Sequence, residues 1–176
     1  MRLDWKIYVI AAGALLLGLM ILFLEKVFFF LIIALATILV AIVLRFVPPL
    51  KYLGIELVTL STMLVGIVYG PVLGGIYAVT ILLAHLIIGD YYIGAFLAWV
   101  VPLYISLGIA SGILGGNLIG VLGVMVIAGI NALSLFLTFI GESERVAKEM
   151  PYVIGNTLIN SVLILNVLGV IVNFMI

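Results

Sequence analysis

Residues 118–140 read LIGVLGVMVIAGINALSLFLTFI and contain no charged side chain. A helix of about 20 apolar residues is long enough to cross the roughly 30 Å hydrocarbon core of a bilayer. The apolar residues are continuous, whereas the strands of a membrane-spanning β-barrel alternate between apolar and polar positions. Because lipid cannot hydrogen-bond to exposed backbone groups, the stretch predicts a transmembrane α-helix.

The composition extends this prediction to the whole chain. Of its 176 residues, 68% are hydrophobic and 8% are charged, against about 45–50% and 25% in ordinary soluble domains. A small soluble fold could not bury that much apolar surface, which excludes a soluble enzyme, a disordered linker and a nucleic-acid-binding module. We expect a multi-pass protein of the cell membrane, with the lipid bilayer as its main surroundings.

Six further apolar stretches resemble the first one, and together they predict an all-α integral membrane bundle of six to seven transmembrane helices. Residues 54–69 and 72–89 are separated only by Gly70-Pro71, so they form either two short spans or one re-entrant pair. The stretch nearest the N-terminus, residues 7–24, is longer than the apolar region of a signal peptide and ends at the polar pair Glu25-Lys26. The predicted spans are residues 7–24, 27–44, 54–69, 72–89, 94–114, 118–140 and 152–175.

The connections between these spans differ sharply in polarity. One end of the bundle carries residues 45–56, 90–92 and 142–149, which are polar and charged. The other end carries only Glu25-Lys26, the Gly70-Pro71 turn and residues 115–117. The run of residues 142–149 mixes acidic and basic side chains and is typical of a solvated loop or a short surface helix.

Polar residues from several spans are expected to converge at the polar end. Each of them alone is typical of interhelical hydrogen bonding or, for Tyr and Trp, of the aromatic belt at the membrane interface. Their convergence favours a pocket, because polar groups at membrane depth usually face a cavity or one another. The predicted substrate-binding residues are Glu56, His85, Asp90, Tyr92, Trp99, Asn131, Asn156 and Asn160.

Catalytic motifs are missing from the sequence. It contains no HExxH pair, no G-x-S-x-G sequence and no dense aspartate motif for Mg²⁺. His85 is the single histidine and the chain has no cysteine, so neither a His–Cys metal site nor a thiol nucleophile can form. We therefore predict a chain that is not an enzyme and that carries no cofactor and no metal.

Small residues recur within the spans, among them Gly70 and Gly74, and Gly108 and Gly112. Small residues let helices approach closely in a membrane, where lipid gives no hydrophobic drive for association. The pattern is typical of packing inside the bundle, and the alternative is a docking surface for another membrane subunit.

Residues 54–75 read GIELVTLSTMLVGIVYGPVLGG, and this stretch resembles the substrate-binding S components of energy-coupling-factor (ECF) transporters. In that family a Gly-Ile loop leads into a short span that ends in a Gly-Pro-x-x-Gly turn. An acidic loop, a span with a central proline and a glycine-rich end follow. The corresponding parts here are residues 70–74, Asp90, Pro102, residues 108–116 and the closing stretch PYVIGNTLIN at residues 151–160.

The resemblance implies a six-helix membrane core at residues 27–176, with residues 1–26 as an extra N-terminal transmembrane helix. Such a protein binds a vitamin or similar micronutrient at the extracellular end, while a transmembrane coupling subunit and ATPases supply the energy. Glu56, Asp90, Asn131, Asn156 and Asn160 would lie near the substrate. The residues that would meet the coupling subunit are Ala34, Ala41, Gly70 and Gly74.

Two points stay open at the level of the sequence. Six of the seven Lys and Arg residues lie at the polar end, so the positive-inside rule places that end in the cytoplasm, whereas the S-component resemblance places it outside. The main alternative function is a non-catalytic membrane scaffold or assembly subunit, similar in outline to the cell-shape protein MreD. A channel for ions or small solutes is less favoured, because no ring of pore-lining charges is present.

Overall fold

The structure is a computed structural model that describes the backbone of residues 5–175 and the side chains of residues 24–175. The described residues form eight α-helices and no strands. The helices are α1 Trp5–Phe46, α2 Pro48–Tyr52, α3 Val58–Tyr69, α4 Pro71–Ile88, α5 Leu97–Leu114, α6 Val121–Gly141, α7 Val146–Leu163 and α8 Gly169–Met175. Two 3₁₀ turns at Gly115–Leu118 and Ser143–Arg145, and a π-helical segment at Ile164–Leu168, join or extend them.

Five of these segments are long and apolar enough to cross a membrane, which confirms the predicted all-α membrane bundle. They are Leu24–Phe46, Pro71–Ile88, Leu97–Leu118, Val121–Gly141 and Ser143–Met175. The predicted third span is shorter than expected, since α3 has 12 residues and a length of only about 18 Å.

The sequence predicted that the first helix ends at Glu25-Lys26, and this prediction is wrong. Both residues lie inside α1, which is 42 residues long and continues to Phe46. The physical reason is that neither residue breaks a helix: both have good helix propensity, and no Gly or Pro lies beside them. The chain divides into two units between Ile33 and Ala34, and the division into residues 1–26 and 27–176 stays a prediction. Residues 1–4 lie outside the described part.

The helix α3 lies at the centre of the unit that begins at Ala34. Every residue from Val58 to Gly66 is buried. It packs against both α4 and α5. Gly70 connects α3 directly to α4, since this one residue is the C-cap of the first helix and the N-cap of the second. Its φ of 91° lies in the left-handed region that favours glycine, and Pro71 then starts α4 with a pre-set φ.

Glycines allow the close approach of α3, α4 and α5. A Cβ built on Gly74 would lie 2.5 Å from the carbonyl oxygen of Gly108 and 2.7 Å from the Cα of Gly66. A Cβ on Gly108 would in turn collide with the carbonyl oxygen of Gly74. The small-residue pattern is therefore used for packing inside the chain, as the first of the two interpretations predicted.

The predicted docking residues differ in their exposure, and their contact with a partner stays a prediction. Gly74 is buried between helices of its own chain. Ala41 is also buried, with 0% of its surface exposed, on the same face of α1 as Thr37 and Leu44. Ala34 and Gly70 are half-buried, and no atom lies within 4 Å of a Cβ built on Gly70.

Candidate functional site

A cavity of about 520 Å³ lies at the polar end of the second unit. Its walls come from α2 and the start of α3, from α4, α5, α6 and α7, and from the connections between these helices. The most buried charged or titratable side chains of its lining are Glu56 and His85, which are 1% and 4% exposed and define the base of the cavity. The outer lining includes Tyr52, Asp90, Tyr92 and Lys148, all of which are exposed. The polar connections thus form the mouth of a cavity whose base is buried.

Glu56 lies just before α3 and caps its N-terminus. The Thr59 backbone N–H donates to Oε2 of Glu56 at 3.1 Å, and the Thr59 hydroxyl donates to Oε1 at 2.6 Å. Since that hydroxyl proton is used, the Tyr104 hydroxyl is the donor in its 3.1 Å contact with Thr59 Oγ1. A chain of hydrogen bonds therefore runs from the cavity-lining Tyr104 to the carboxylate.

Three asparagines form a hydrogen-bonded network around Glu56, in which Asn156 and Asn160 are buried and Asn131 is half-buried. Asn156 Nδ2 donates to Glu56 Oε1 at 2.8 Å and to the Gly54 carbonyl at 3.2 Å. Asn131 Nδ2 donates to Asn156 Oδ1 at 2.9 Å and to Thr157 Oγ1 at 2.8 Å. Asn160 Nδ2 lies 3.5 Å from Glu56 Oε1. The network joins α6 and α7 to the segment before α3 and holds the carboxylate in place.

The C-terminal cap of α4 positions Tyr91 in the lining of the cavity. The Tyr91 N–H donates to the Leu86 carbonyl at 2.9 Å and the Asp90 N–H to the Ile87 carbonyl at 3.3 Å, which is the Schellman pattern. This pattern requires a left-handed residue, and Asp90 takes that conformation with φ 55°. The Tyr91 ring then lies 5.0 Å from His85. Burial and the negative charge of Glu56 raise the pKa of the Tyr91 phenol, so it remains a neutral donor at ordinary pH.

Arg145 joins two sides of the mouth. Its guanidinium lies 4.7 Å from the Tyr92 ring centre and 4.8 Å from that of Phe96. It also forms ion pairs with Glu142 at 2.9 Å and with Glu149 at 2.6 Å. The segment predicted as a solvated loop or surface helix therefore contacts the loop after α4 across the opening.

Five of the eight predicted substrate-binding residues line the cavity, namely Glu56, His85, Asp90, Tyr92 and Asn131. Asn156 and Asn160 lie one layer behind, on the far side of Glu56. Trp99 is not among the lining residues, and its ring packs beside Gly141, where an added Cβ would lie 3.0 Å from the indole. Substrate contact by these residues stays a prediction.

Several residues that line the cavity were not predicted from the sequence. Tyr104 and Tyr152 occur inside apolar helices, where their periodicity resembles that of core positions. Lys51 donates to the Asp90 carbonyl at 3.1 Å and lies 5.1 Å from the Tyr91 ring centre. Arg145 and Glu149 also line the cavity. For these two the sequence offered one signal, because the spacing of Glu142, Arg145 and Glu149 predicts ion pairs on a helical turn.

Within residues 24–175, no three His, Cys, Asp or Glu side chains lie close enough together to bind one metal ion. The arrangement instead offers a buried acceptor, aromatic rings and hydrogen-bonding groups, which is the usual lining of a small-molecule site.

The fold and the site define the chain as a multi-pass all-α membrane protein with a cavity at one end. Comparisons with models of protein families, with curated proteins and with solved structures gave no match for this chain.

Proposed function

We propose that the chain is a membrane-embedded substrate-binding subunit of an ECF-type importer in the cell membrane, which captures a vitamin or similar micronutrient. The observation that carries the proposal is the cavity of about 520 Å³ with a buried carboxylate at its base. Small-molecule sites usually measure about 300–1,000 Å³ and combine apolar walls with a few placed polar groups. ATP hydrolysis is assigned to partner ATPases.

The position of the cavity also supports this proposal. Exposed, polar residues of the connections line its mouth, which is the arrangement that a soluble molecule would need in order to reach Glu56 and His85 from water. Helices α4 to α7 carry a large part of the walls, and helices hold binding groups more firmly than loops do. A coupling subunit would contact the outer, lipid-facing sides of the helices, where Ala34 and Gly70 are still partly accessible.

A thermal-stability assay tests small-molecule capture directly. We expect the low-mass fraction of a cell extract, below about 1 kDa, to raise the Tm of the purified protein in detergent. A ligand at 100 times its Kd stabilises the folded state by about 2.7 kcal/mol, which corresponds to roughly 5–10 °C in a chain of this size. Ser134→Trp, which places a large ring in the cavity lining, is expected to abolish the rise.

Ser106→Trp is the matched control, since Ser106 is exposed on α5 and does not line the cavity. This variant should respond to the extract as the unaltered protein does. If no fraction stabilises the unaltered protein, capture of a small molecule is contradicted and the scaffold function is favoured.

Single-cysteine labelling tests the direction of uptake. The chain has no cysteine, Ser143 is exposed at the cavity end, and Asn117 is exposed in the turn after α5 at the opposite end. For an importer, a membrane-impermeant maleimide should label Ser143→Cys in intact cells and leave Asn117→Cys unlabelled. The reverse pattern would place the cavity in the cytoplasm, as the positive-inside rule predicts from Arg45, Lys51, Arg145 and Lys148, and would contradict capture from outside.

A further inference from the structure

The buried carboxylate of Glu56 is surrounded by donors. The Thr59 amide and hydroxyl and the Asn156 amide all donate to its oxygens at 3.1, 2.6 and 2.8 Å. These contacts suit an ionised carboxylate, which is an acceptor only. Among the described residues, Oε2 accepts only from the Thr59 backbone, although a carboxylate oxygen has two lone pairs. One acceptor position on this oxygen is therefore free.

No Lys or Arg side chain of residues 24–175 forms an ion pair with Glu56: Arg145 pairs with Glu142 and Glu149, and Lys51 donates to a backbone carbonyl. The N-terminus of α3 contributes the equivalent of about half a positive charge, and only within its first turn. Buried charges in proteins are normally paired, because an isolated ion in an apolar environment is strongly unfavourable. Glu56 therefore has an unmet requirement for positive charge.

His85 lies at the same base and has free hydrogen-bonding groups. It is 4% exposed, and neither Nδ1 nor Nε2 has a hydrogen-bond partner among the described residues. A neutral imidazole has one donor and one acceptor, so the ring can bind a second polar group of a molecule held by Glu56. The aromatic ring of Tyr104 also lines the cavity, and aromatic faces attract cations.

We propose that the cavity binds a molecule with a positively charged nitrogen, which donates to Glu56 while the aromatic side chains enclose the rest of the molecule. The inference rests on the proposed function, namely that the cavity holds a small molecule. The Lys and Arg side chains that line the cavity are Lys51, Arg145 and Lys148, and none of them forms an ion pair with Glu56. Glu56 therefore favours a positively charged group, while these basic side chains would tolerate an acidic group elsewhere on the same molecule.

Charge fractionation of the low-mass extract tests the inference through the charge of the ligand alone. The extract is first passed over a chelating resin to remove metal ions. It is then applied at about pH 3 to a strong cation exchanger, which retains molecules with a basic nitrogen, including zwitterions whose carboxylates are protonated. We expect the retained fraction, returned to neutral pH, to raise the Tm and the flow-through to leave it unchanged.

Glu56→Gln tests the residue itself. It keeps the size of the side chain and removes its charge, and it should raise the amount of retained fraction needed for half-maximal stabilisation by about tenfold or more. Glu144→Gln is the matched control, because Glu144 is exposed and does not line the cavity. If Glu56→Gln does not fold, the Tm of the unaltered protein with the retained fraction and with the flow-through still shows whether the ligand is positively charged.

The outcomes separate this inference from the proposed function. Stabilisation by the flow-through, or equal responses of the Glu56→Gln and Glu144→Gln variants, would each overturn the inference while the cavity remains a binding site. Absence of stabilisation by the whole extract would overturn the proposed function, and the inference with it.

Discussion

Gly108→Ala is expected to lower the Tm of the purified protein in detergent by roughly 6–12 °C, or to prevent folding. The added Cβ would collide with the Gly74 carbonyl oxygen and lie 2.5 Å from the Gly74 carbonyl carbon and 2.9 Å from the Gly75 nitrogen. These are backbone atoms of α4, so no side-chain rotation relieves the contact. Overpacking of this kind costs about 3 kcal/mol or more, and here it separates the helices that surround the central α3.

Gly129→Ala provides the matched control for this change. Gly129 lies inside α6, and nothing lies within 4 Å of a Cβ built on it. Alanine favours the helix by about 1 kcal/mol relative to glycine, so the Tm should stay equal or rise slightly. Equal stability of the two variants would show that α4 and α5 do not pack at Gly74 and Gly108.

The parts of the fold that follow from local chemistry could be predicted from the sequence. A long apolar run without charges can cross lipid only as an α-helix, because its backbone groups must be hydrogen-bonded within the segment. The pair Gly70-Pro71 marks a connection between helices, and its glycine has a positive φ. The break at Glu25-Lys26 was predicted from polarity alone. Two charged residues with good helix propensity leave the backbone hydrogen bonds of α1 intact, so the helix continues.

The site was only partly predictable, because polarity shows which residues avoid lipid and does not show what they face. Glu56 and Asn131 line the cavity, whereas Asn156 satisfies Glu56 from behind. All three are polar residues at similar depth, and the sequence offers no means to separate them. Their order depends on how α6 and α7 are rotated about their axes, which tertiary packing decides.

Arg145 illustrates a second limit of sequence patterns. Its ion pairs with Glu142 and Glu149 follow from helical spacing, but its contacts with Tyr92 and Phe96 join positions about fifty residues apart. Contacts over such distances arise from the arrangement of helices, and no local pattern encodes them. A charged run that looks solvated can thus form the rim of a cavity.

Asn156→Leu is expected to destabilise the protein by about 3 kcal/mol, because it removes donors from a buried carboxylate. Glu56 Oε1 would lose its 2.8 Å hydrogen bond and the Gly54 carbonyl its 3.2 Å hydrogen bond. Asn131 would retain only its contact with Thr157. Thermal unfolding in detergent, read from the loss of monodisperse protein, measures the change.

Asn166→Leu is the matched control on the same continuous helical segment. Asn166 is exposed, and its amide donates only to the Val162 carbonyl one turn earlier. Replacing it removes no group on which a buried charge depends, so the stability should change by less than about 0.5 kcal/mol. A loss of stability as large as that from Asn156→Leu would mean that the stability depends on the polarity of this helix and not on the contact with Glu56.

The cause of the destabilisation can be isolated by combining Asn156→Leu with Glu56→Gln. If most of the destabilisation comes from a buried charge without its donor, Asn156→Leu will lower the stability less when residue 56 is neutral. The coupling free energy between the two sites is then about 1–3 kcal/mol. If the effect comes from the shape of leucine between α6 and α7, the two changes will add. The first result would show that Glu56 is ionised in the folded protein, which is the condition that a positively charged ligand requires.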